Sequence, residues 1–239
     1  MEEKSLKTSA WQRAIIIIIA ILLLGSTVLT YMFIVMGNSS NSSSTAANEE
    51  KINELIAQYD AKQAEIDEAA KPLSDKYFSE FKKYQANVKA YNSATASSKV
   101  LETEDLKTGT GKTLAEGDTD YAAYYLGWCA DGTVFDSSFN NEKDTDISTA
   151  TGLNSPLDPS GGLIEGWNQG VVGMKLGGVR QVTMSGDLAY GDTREICGGY
   201  NSPLKFIIMA VEPDENITKL NKELNDIYLQ LYMAMYANQ

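Results

Sequence analysis

Five short strings rich in aromatic residues and glycine, spread between Tyr121 and Phe206, constrain the fold of this chain most. They occur in one order, with strand-like segments between them. Each string alone is a weak signal, but five in sequence do not arise readily by chance. The strings are Tyr-Tyr-Leu-Gly-Trp at 124–128, Asp-Gly-Thr-Val-Phe-Asp-Ser-Ser at 131–138, Leu-Ile-Glu-Gly-Trp-Asn-Gln-Gly at 163–170, Leu-Ala-Tyr-Gly at 188–191 and Ser-Pro-Leu-Lys-Phe at 202–206.

In this order the strings resemble those of the FKBP-type peptidyl-prolyl cis-trans isomerases, a family that also binds macrolide immunosuppressants. The resemblance implies that residues 105–213 form an α+β domain, in which an antiparallel β-sheet curls around one short α-helix. It also implies catalysed rotation about the peptide bond that precedes proline, with neither a cofactor nor a metal ion.

Prolyl isomerisation needs no nucleophile. The bond rotation breaks amide resonance against a barrier of about 18–20 kcal/mol. Because the planar amide has the larger dipole and is best solvated by water, a dry apolar pocket that still offers a hydrogen bond favours the twisted transition state. An aromatic cleft with one or two polar groups is therefore chemically sufficient.

The resemblance also assigns roles to individual residues. It places Trp167 on the pocket floor, at the start of a short helix at about 165–170, and makes the Tyr190 hydroxyl a donor to a ligand carbonyl. Asp136 matches the acidic residue at the pocket edge. The matching aromatic walls are Tyr125, Phe135 and Phe206, and the residues bordering the opening are Leu163 and Ile164. From periodicity alone, each aromatic residue would be assigned to an ordinary core.

Two segments depart from the family pattern. The family usually has a Pro-Phe-x-Phe segment where this chain has no aromatic residue between Phe139 and Gly162, so Leu157 is expected to replace one ring. We expect a wider, less aromatic wall there, which affects macrolide binding more than isomerisation. In the altered loop after Tyr190, Ile196 and Tyr200 are expected to overhang the cleft.

The chain has two cysteines, Cys129 and Cys197. Strand alternation places Cys129 on the same face as Tyr125. In the family fold the loop that carries Cys197 arches over this face, so the resemblance implies a disulfide. The alternative is a pair of reduced, buried cysteines.

Composition excludes several classes of protein. The chain has no histidine, so it cannot build a Ser-His-Asp triad or a zinc site with histidine ligands. Its net charge of −12 argues against nucleic acid as a partner, since binding would require clustered Lys and Arg. Polypeptide clients that contain proline, or small ligands, remain.

Residues 14–36 are apolar and uncharged, and as a helix they would span roughly 34 Å at about 1.5 Å per residue. This length predicts a transmembrane helix. Positive charges in residues 1–13, with none after the segment until Lys51, predict a cytoplasmic N-terminus and an extracytoplasmic remainder. The alternative is a signal peptide that is cleaved near 44–47.

Residues 37–48 have the composition of a flexible linker. Apolar residues at helical spacing predict an antiparallel hairpin or one bent stalk at 49–93, with helices at about 49–70 and 73–93 and a break or kink at Pro72. Residues 94–104 read as a second linker. Residues 214–239 form an amphipathic helix with the 3,4 spacing of a coiled coil. Its apolar face could pack on residues 49–93 of the same chain, form a homodimer through both helical regions, or bind clients.

These observations predict a prolyl isomerase that assists the folding of exported proteins. The layout, with helices before the isomerase-like domain, also resembles that of the exported isomerases related to macrophage-infectivity potentiators. The alternatives are a weakly catalytic chaperone or proline-binding module whose flanking helices hold clients, and a structural tether that grips a proline of its partner.

Overall fold

A computed structural model describes residues 44–92, 100–140 and 146–236. Residues 1–43, which include the predicted membrane segment and most of the first linker, lie outside the described part, as does most of the second linker. The helices are α1 (Ser44–Phe81), α2 (Glu165–Gly170) and α3 (Glu215–Tyr236), with short 3-10 turns at Lys82–Asn87, Ile147–Thr149, Pro159–Gly161 and Gly186–Leu188. The strands are β1 (Leu101–Lys107), β2 (Ala122–Trp128), β3 (Val134–Ser137), β4 (Phe139–Asn140), β5 (Gly152–Leu153), β6 (Val179–Met184) and β7 (Leu204–Val211).

Five strands form one antiparallel sheet in the order β1-β6-β7-β2-β3, and β4 pairs with β5 separately. The central strand β7 is buried along nearly its whole length. From Phe206 to Val211 its sequence is a continuous apolar run rather than an alternating one, because both faces of the sheet are covered. The structure thus has the α+β fold expected from the sequence.

Two hydrophobic cores lie on the two faces of the sheet. The core that we call the pocket side includes Trp167, Val182, Phe206 and Ile208. The core that we call the arm side includes Phe81, Tyr124, Leu126 and Ile207. Neighbouring residues on one strand therefore belong to different cores, as strand alternation requires.

The two long helices, α1 and α3, form an antiparallel pair that we call the arm. Ile66 of α1 packs with Ile217 and Leu224, whereas Ile52, near the start of α1, packs with Leu231. The Asp214 carboxylate accepts a hydrogen bond from the backbone N–H of Ile217 and caps the start of α3 (3.0 Å). Of the three expected partners for the apolar face of α3, the structure shows helix packing within the same chain.

The predicted break at Pro72 is wrong, since α1 continues through this residue to Phe81. Proline removes one backbone hydrogen bond and strains the preceding turn. Pro72 lies on the exposed side of α1, where water can solvate the released carbonyl. Packing on both sides of Pro72, against Ile217 and against the sheet, holds the helix together. The helix also ends earlier than the predicted 93.

The segment that follows α1 is fastened to the sheet and its loops. The Trp128 indole N–H donates to the carbonyl of Lys89 (3.1 Å), and the Tyr91 hydroxyl donates to the carbonyl of Pro203 (3.0 Å). The Tyr91 N–H also donates to the carbonyl of Ala130 (2.8 Å). The arm is thereby attached along the sheet and does not hang from a free hinge at this point.

Two predicted boundaries also move. Residues 44–48, assigned to the first linker, already belong to α1, and residues 101–104, assigned to the second linker, belong to β1. Tertiary packing of α1 and pairing of β1 with β6 explain both shifts. Within the described ranges, no helix is long and apolar enough to cross a membrane.

Candidate active site

A cleft of about 60 Å³ lies between the pocket side of the sheet, α2 and the loop that precedes α2. Its lining residues are Tyr125, Asp136, Leu157, Asp158, Gly161, Gly162, Leu163, Ile164, Trp167, Tyr190 and Phe206. The lining is overwhelmingly apolar, with hydroxyl and carboxyl groups at a few positions. The structure therefore brings together residues from all five strings.

The floor of the cleft is Trp167, which is 3% exposed and lies in the first turn of α2. Its indole N–H donates to the Tyr121 hydroxyl (3.1 Å), which fixes the plane of the ring. The close approach of α2 to the sheet depends on the absence of a side chain at Gly166. A Cβ there would lie 2.6 Å from the Met184 sulfur, so a larger residue would force one of the two to move. The glycine therefore allows Trp167 to reach the floor.

Aromatic rings meet edge to face around this floor. Tyr125 and Phe206 each contact Trp167, with ring centroids 5.6 and 5.4 Å apart. Phe135 contacts Phe206 at 5.5 Å and supports it from behind, without itself lining the cleft. Gly127 makes room for this pair, since a Cβ there would lie 2.7 Å from Phe135 and 2.8 Å from Phe206. Edge-to-face contacts of this kind hold the rings in fixed positions.

Tyr125 and Asp136 are joined by a hydrogen bond between their side chains. The Tyr125 hydroxyl donates to Asp136 Oδ2 at 2.7 Å. Burial raises the pKa of the Asp136 carboxyl to about 6, while the Tyr125 hydroxyl, the Ser137 backbone and the Arg194 charge act in the opposite direction. Burial also raises the pKa of Tyr125 well above its ordinary value, and the Asp136 charge adds to this effect. This hydroxyl is therefore a neutral donor already in use.

Tyr190 is the available donor. Its hydroxyl has no hydrogen-bond partner among the residues that the structure describes. Burial raises its pKa, opposed by the charge of Arg194, whose guanidinium carbon lies 5.0 Å from the centre of the Tyr190 ring. The hydroxyl stays protonated at neutral pH and can donate to a carbonyl that enters the cleft.

The wall that lacks the family's aromatic segment is built from the loop before α2. Leu157 lines it and exchanges two backbone hydrogen bonds with Ala123 of β2 (3.0 and 2.8 Å), which fasten the loop to the sheet. Asp158 also lines this wall, and its carboxylate accepts from the Ser160 N–H (2.9 Å). Leu163 and Ile164 complete it.

Sequence reasoning missed Asp158 and its neighbours Gly161 and Gly162, because they lie in the segment that departs from the family pattern. Their signal was the Asp-Pro-Ser-Gly-Gly turn, in which Gly162 has a φ of 85°, a conformation that favours glycine. It also missed Tyr121, although strand alternation from Tyr125 places both residues on one face.

The loop after Tyr190 does not place both expected residues at the cleft. Ile196 packs against the pocket-side core but is not among the lining residues, and Tyr200 is 60% exposed. The reason is a tight turn, in which Ile196 and Gly199 exchange backbone hydrogen bonds and direct the chain away from the cleft. The loop is joined to the end of β2 by the predicted disulfide between Cys129 and Cys197, with 5.5 Å between their Cα atoms.

Comparisons with known proteins agree with this geometry. The family model for the FKBP-type peptidyl-prolyl cis-trans isomerase matches residues 111–211. The chain is 34% identical over 109 residues to an FK506-binding protein of Neisseria meningitidis serogroup B, an alignment that covers 46% of this chain and 89% of the relative. It is 31% identical over 178 residues to the peptidyl-prolyl cis-trans isomerase Mip of Chlamydia trachomatis serovar D, covering 65% of this chain and 68% of that relative.

Among solved structures, a peptidyl-prolyl cis-trans isomerase of Pseudomonas syringae pv. tomato matches 54% of this chain and 86% of its own, with 21% identity and a TM-score of 0.35. The family model and the two sequence relatives agree on one assignment. The chain belongs to the family of FKBP-type peptidyl-prolyl cis-trans isomerases and is an enzyme of that type.

Proposed function

We propose that this enzyme isomerises X-Pro bonds in polypeptide clients as exported proteins fold, and that the cleft on Trp167 is its active site. The observation that carries the proposal is the combination of an aromatic cleft with one unused donor, the hydroxyl of Tyr190. The other hydroxyl of the cleft, on Tyr125, is already committed to Asp136.

In this mechanism the proline ring enters the cleft and rests on the Trp167 indole. Apolar surroundings exclude water from the amide, and this loss of solvation penalises the planar form more than the twisted form, whose dipole is smaller. The Tyr190 hydroxyl donates to a substrate carbonyl and orients the chain. No covalent bond forms, and no proton is transferred.

The packing of the arm argues against the alternative in which the flanking helices hold clients. The apolar stripes of α1 and α3 face each other, which removes most of the surface that a client would need. Where the burial of arm side chains is described, the large hydrophobic ones that stay exposed are Leu229 and Met233. The arm is therefore proposed as a spacer that carries the isomerase domain.

The proposed location is the outer side of a membrane, with residues 14–36 as a single-pass anchor and residues 1–13 in the cytoplasm. The charge asymmetry around the apolar segment supports this orientation. The disulfide supports an oxidising compartment as well. Protease added to intact cells should destroy a C-terminal tag and spare an N-terminal one, and the reverse pattern would exclude this topology.

The activity is tested with the full chain in a refolding reaction that is limited by proline isomerisation. The wild type should accelerate refolding, and Phe206→Ala should lose most of the acceleration because an edge contact with Trp167 disappears. Tyr200→Ala removes an exposed aromatic side chain and is the matched control. Circular dichroism verifies folding, and Trp167→Phe serves as a milder variant. Equal acceleration by wild type and both pocket variants would refute the proposed site.

A further inference from the structure

Arg194 is a half-buried cation beside the cleft whose charge is not neutralised by any ion pair with the described residues. Its guanidinium stacks on the Tyr190 ring at 5.0 Å, a cation–π contact that holds the side chain near the lining of the cleft. The neighbouring acids Asp192 and Glu195 are both exposed, and neither pairs with it.

Among the described residues that line the cleft, the charged groups are anionic and already engaged. Asp136 is bonded to the Tyr125 hydroxyl, and Asp158 on the opposite wall caps the Ser160 N–H. The Arg194 charge reaches the interior of the cleft, because it opposes the effect of burial on the pKa of Asp136. Within the part of the chain that the structure describes, Arg194 is therefore a positive group beside a cleft whose charged lining residues, Asp136 and Asp158, are negative.

We propose that Arg194 is a specificity residue that favours client segments with an Asp or Glu side chain next to the proline. The inference deepens the proposed function, on which it rests. A guanidinium offers a planar fork of donors that matches a carboxylate. The whole chain carries a net charge of −12, so an acidic client meets a repulsive field elsewhere and gains attraction near Arg194.

The experiment uses two sets of three proline peptides. Within a set the peptides differ only at one residue, which is Glu, Gln or Lys, and this residue comes directly before proline in one set and directly after it in the other. The quantity measured is the ratio of kcat/KM for the Glu peptide to that for the Gln peptide, with the full chain as enzyme. Arg194→Gln should lower this ratio about threefold in at least one of the two placements, as expected for a partly exposed charge pair. Arg194→Lys should restore part of it, since the charge returns without the planar fork.

Two controls make the outcome specific. Lys219→Gln on α3 makes the same charge change at a side chain that is 75% exposed on the arm, and it should leave the ratio unchanged. Raising the salt concentration should lower the wild-type ratio and have little effect on Arg194→Gln. A loss of stability alone would lower both rates and leave the ratio intact.

Failure of the proposal can be told apart from failure of the proposed function. If the wild type accelerates none of the peptides, the function is wrong. If it accelerates all of them and Arg194→Gln leaves the Glu-to-Gln ratio unchanged in both placements, or Lys219→Gln shifts it equally, the specificity role is overturned.

Discussion

Tyr124 and Tyr125 are consecutive on β2, yet their rings lie on opposite faces of the sheet. Tyr125 meets the edge of Trp167 in the cleft, whereas Tyr124 is fully buried against Tyr77 of α1, with ring centroids 5.7 Å apart. One strand therefore carries both a wall of the cleft and a contact surface for the arm. The helix α1 thus covers the face of the sheet that is turned away from the cleft.

Phe81 lies where α1 packs on the sheet, so a mutation there tests how strongly the arm is attached to the sheet. It is 1% exposed, stacks on Phe139 at 5.2 Å and lies 6.4 Å from Tyr124 between ring centroids. Phe81→Ala should lower the free energy of unfolding by about 3–5 kcal/mol, because it opens a cavity at this junction. Urea unfolding measures the change.

Leu229→Ala is the control for this prediction, since Leu229 is a large apolar residue on the same arm that is 43% exposed. Its effect should stay within about 0.5 kcal/mol. A loss below about 1 kcal/mol in Phe81→Ala would mean that the end of α1 is not integrated with the domain.

The lining residues of the pocket could be predicted from sequence where the chain matches the family strings. Most lining residues in the segment that departs from those strings were not predicted. Trp167 and its short helix lie where the family resemblance placed them. Asp158, by contrast, comes from a turn whose position relative to the cleft depends on backbone pairing of Leu157 with Ala123. Pairing between distant segments leaves no local pattern in the sequence.

The path of α1 shows a second limit. Local propensity ends a helix at Pro72, and that rule fails here because the residues on both sides are held by other elements. The predicted start of α3 at 214 was easier, since its apolar spacing runs without interruption and Asp214 caps that start. Rules for local structure hold best where tertiary contacts agree with them.

Tyr190→Phe tests the donor of the cleft. The variant removes a hydroxyl that has no partner among the described residues, so the melting temperature should change little. The kcat/KM for proline peptides should fall about fivefold, as expected for one neutral hydrogen bond of about 1 kcal/mol. Tyr200→Phe removes an exposed hydroxyl and should leave both quantities unchanged. Undiminished activity in Tyr190→Phe would show that this hydroxyl does not contact substrate.

Asp136 should make stability depend on pH. Burial raises its pKa from 3.8 to about 6, so between these values the folded state retains a proton that the unfolded state has released. Raising the pH across this window therefore favours unfolding. The contribution of Asp136 to the free energy of unfolding is fully present below about pH 4 and is lost as the pH rises to about 6. The difference of about two pKa units corresponds to about 3 kcal/mol.

The measurement compares urea unfolding of the wild type and Asp136→Asn at several pH values from 4 to 7. The asparagine cannot titrate, so the stability of the wild type relative to this variant should fall by about 2–3 kcal/mol as the pH rises. All other groups titrate alike in both proteins and cancel. Parallel curves would show that Asp136 keeps an ordinary pKa in the folded protein.

The disulfide should fix the loop beside Tyr190. Cys197 lies three residues after Arg194, and its bond to Cys129 anchors this loop to the end of β2. Replacing both cysteines by serine should lower the free energy of unfolding by about 2–4 kcal/mol, because the unfolded chain loses a constraint. It should also weaken turnover, since Tyr190 and Arg194 then sit on a loop that is held at fewer points. Mass spectrometry of alkylated protein isolated without reductant checks the bond itself, and two alkylated thiols would contradict it. If the bond is present and the double variant keeps its melting temperature and activity, packing alone orders the loop.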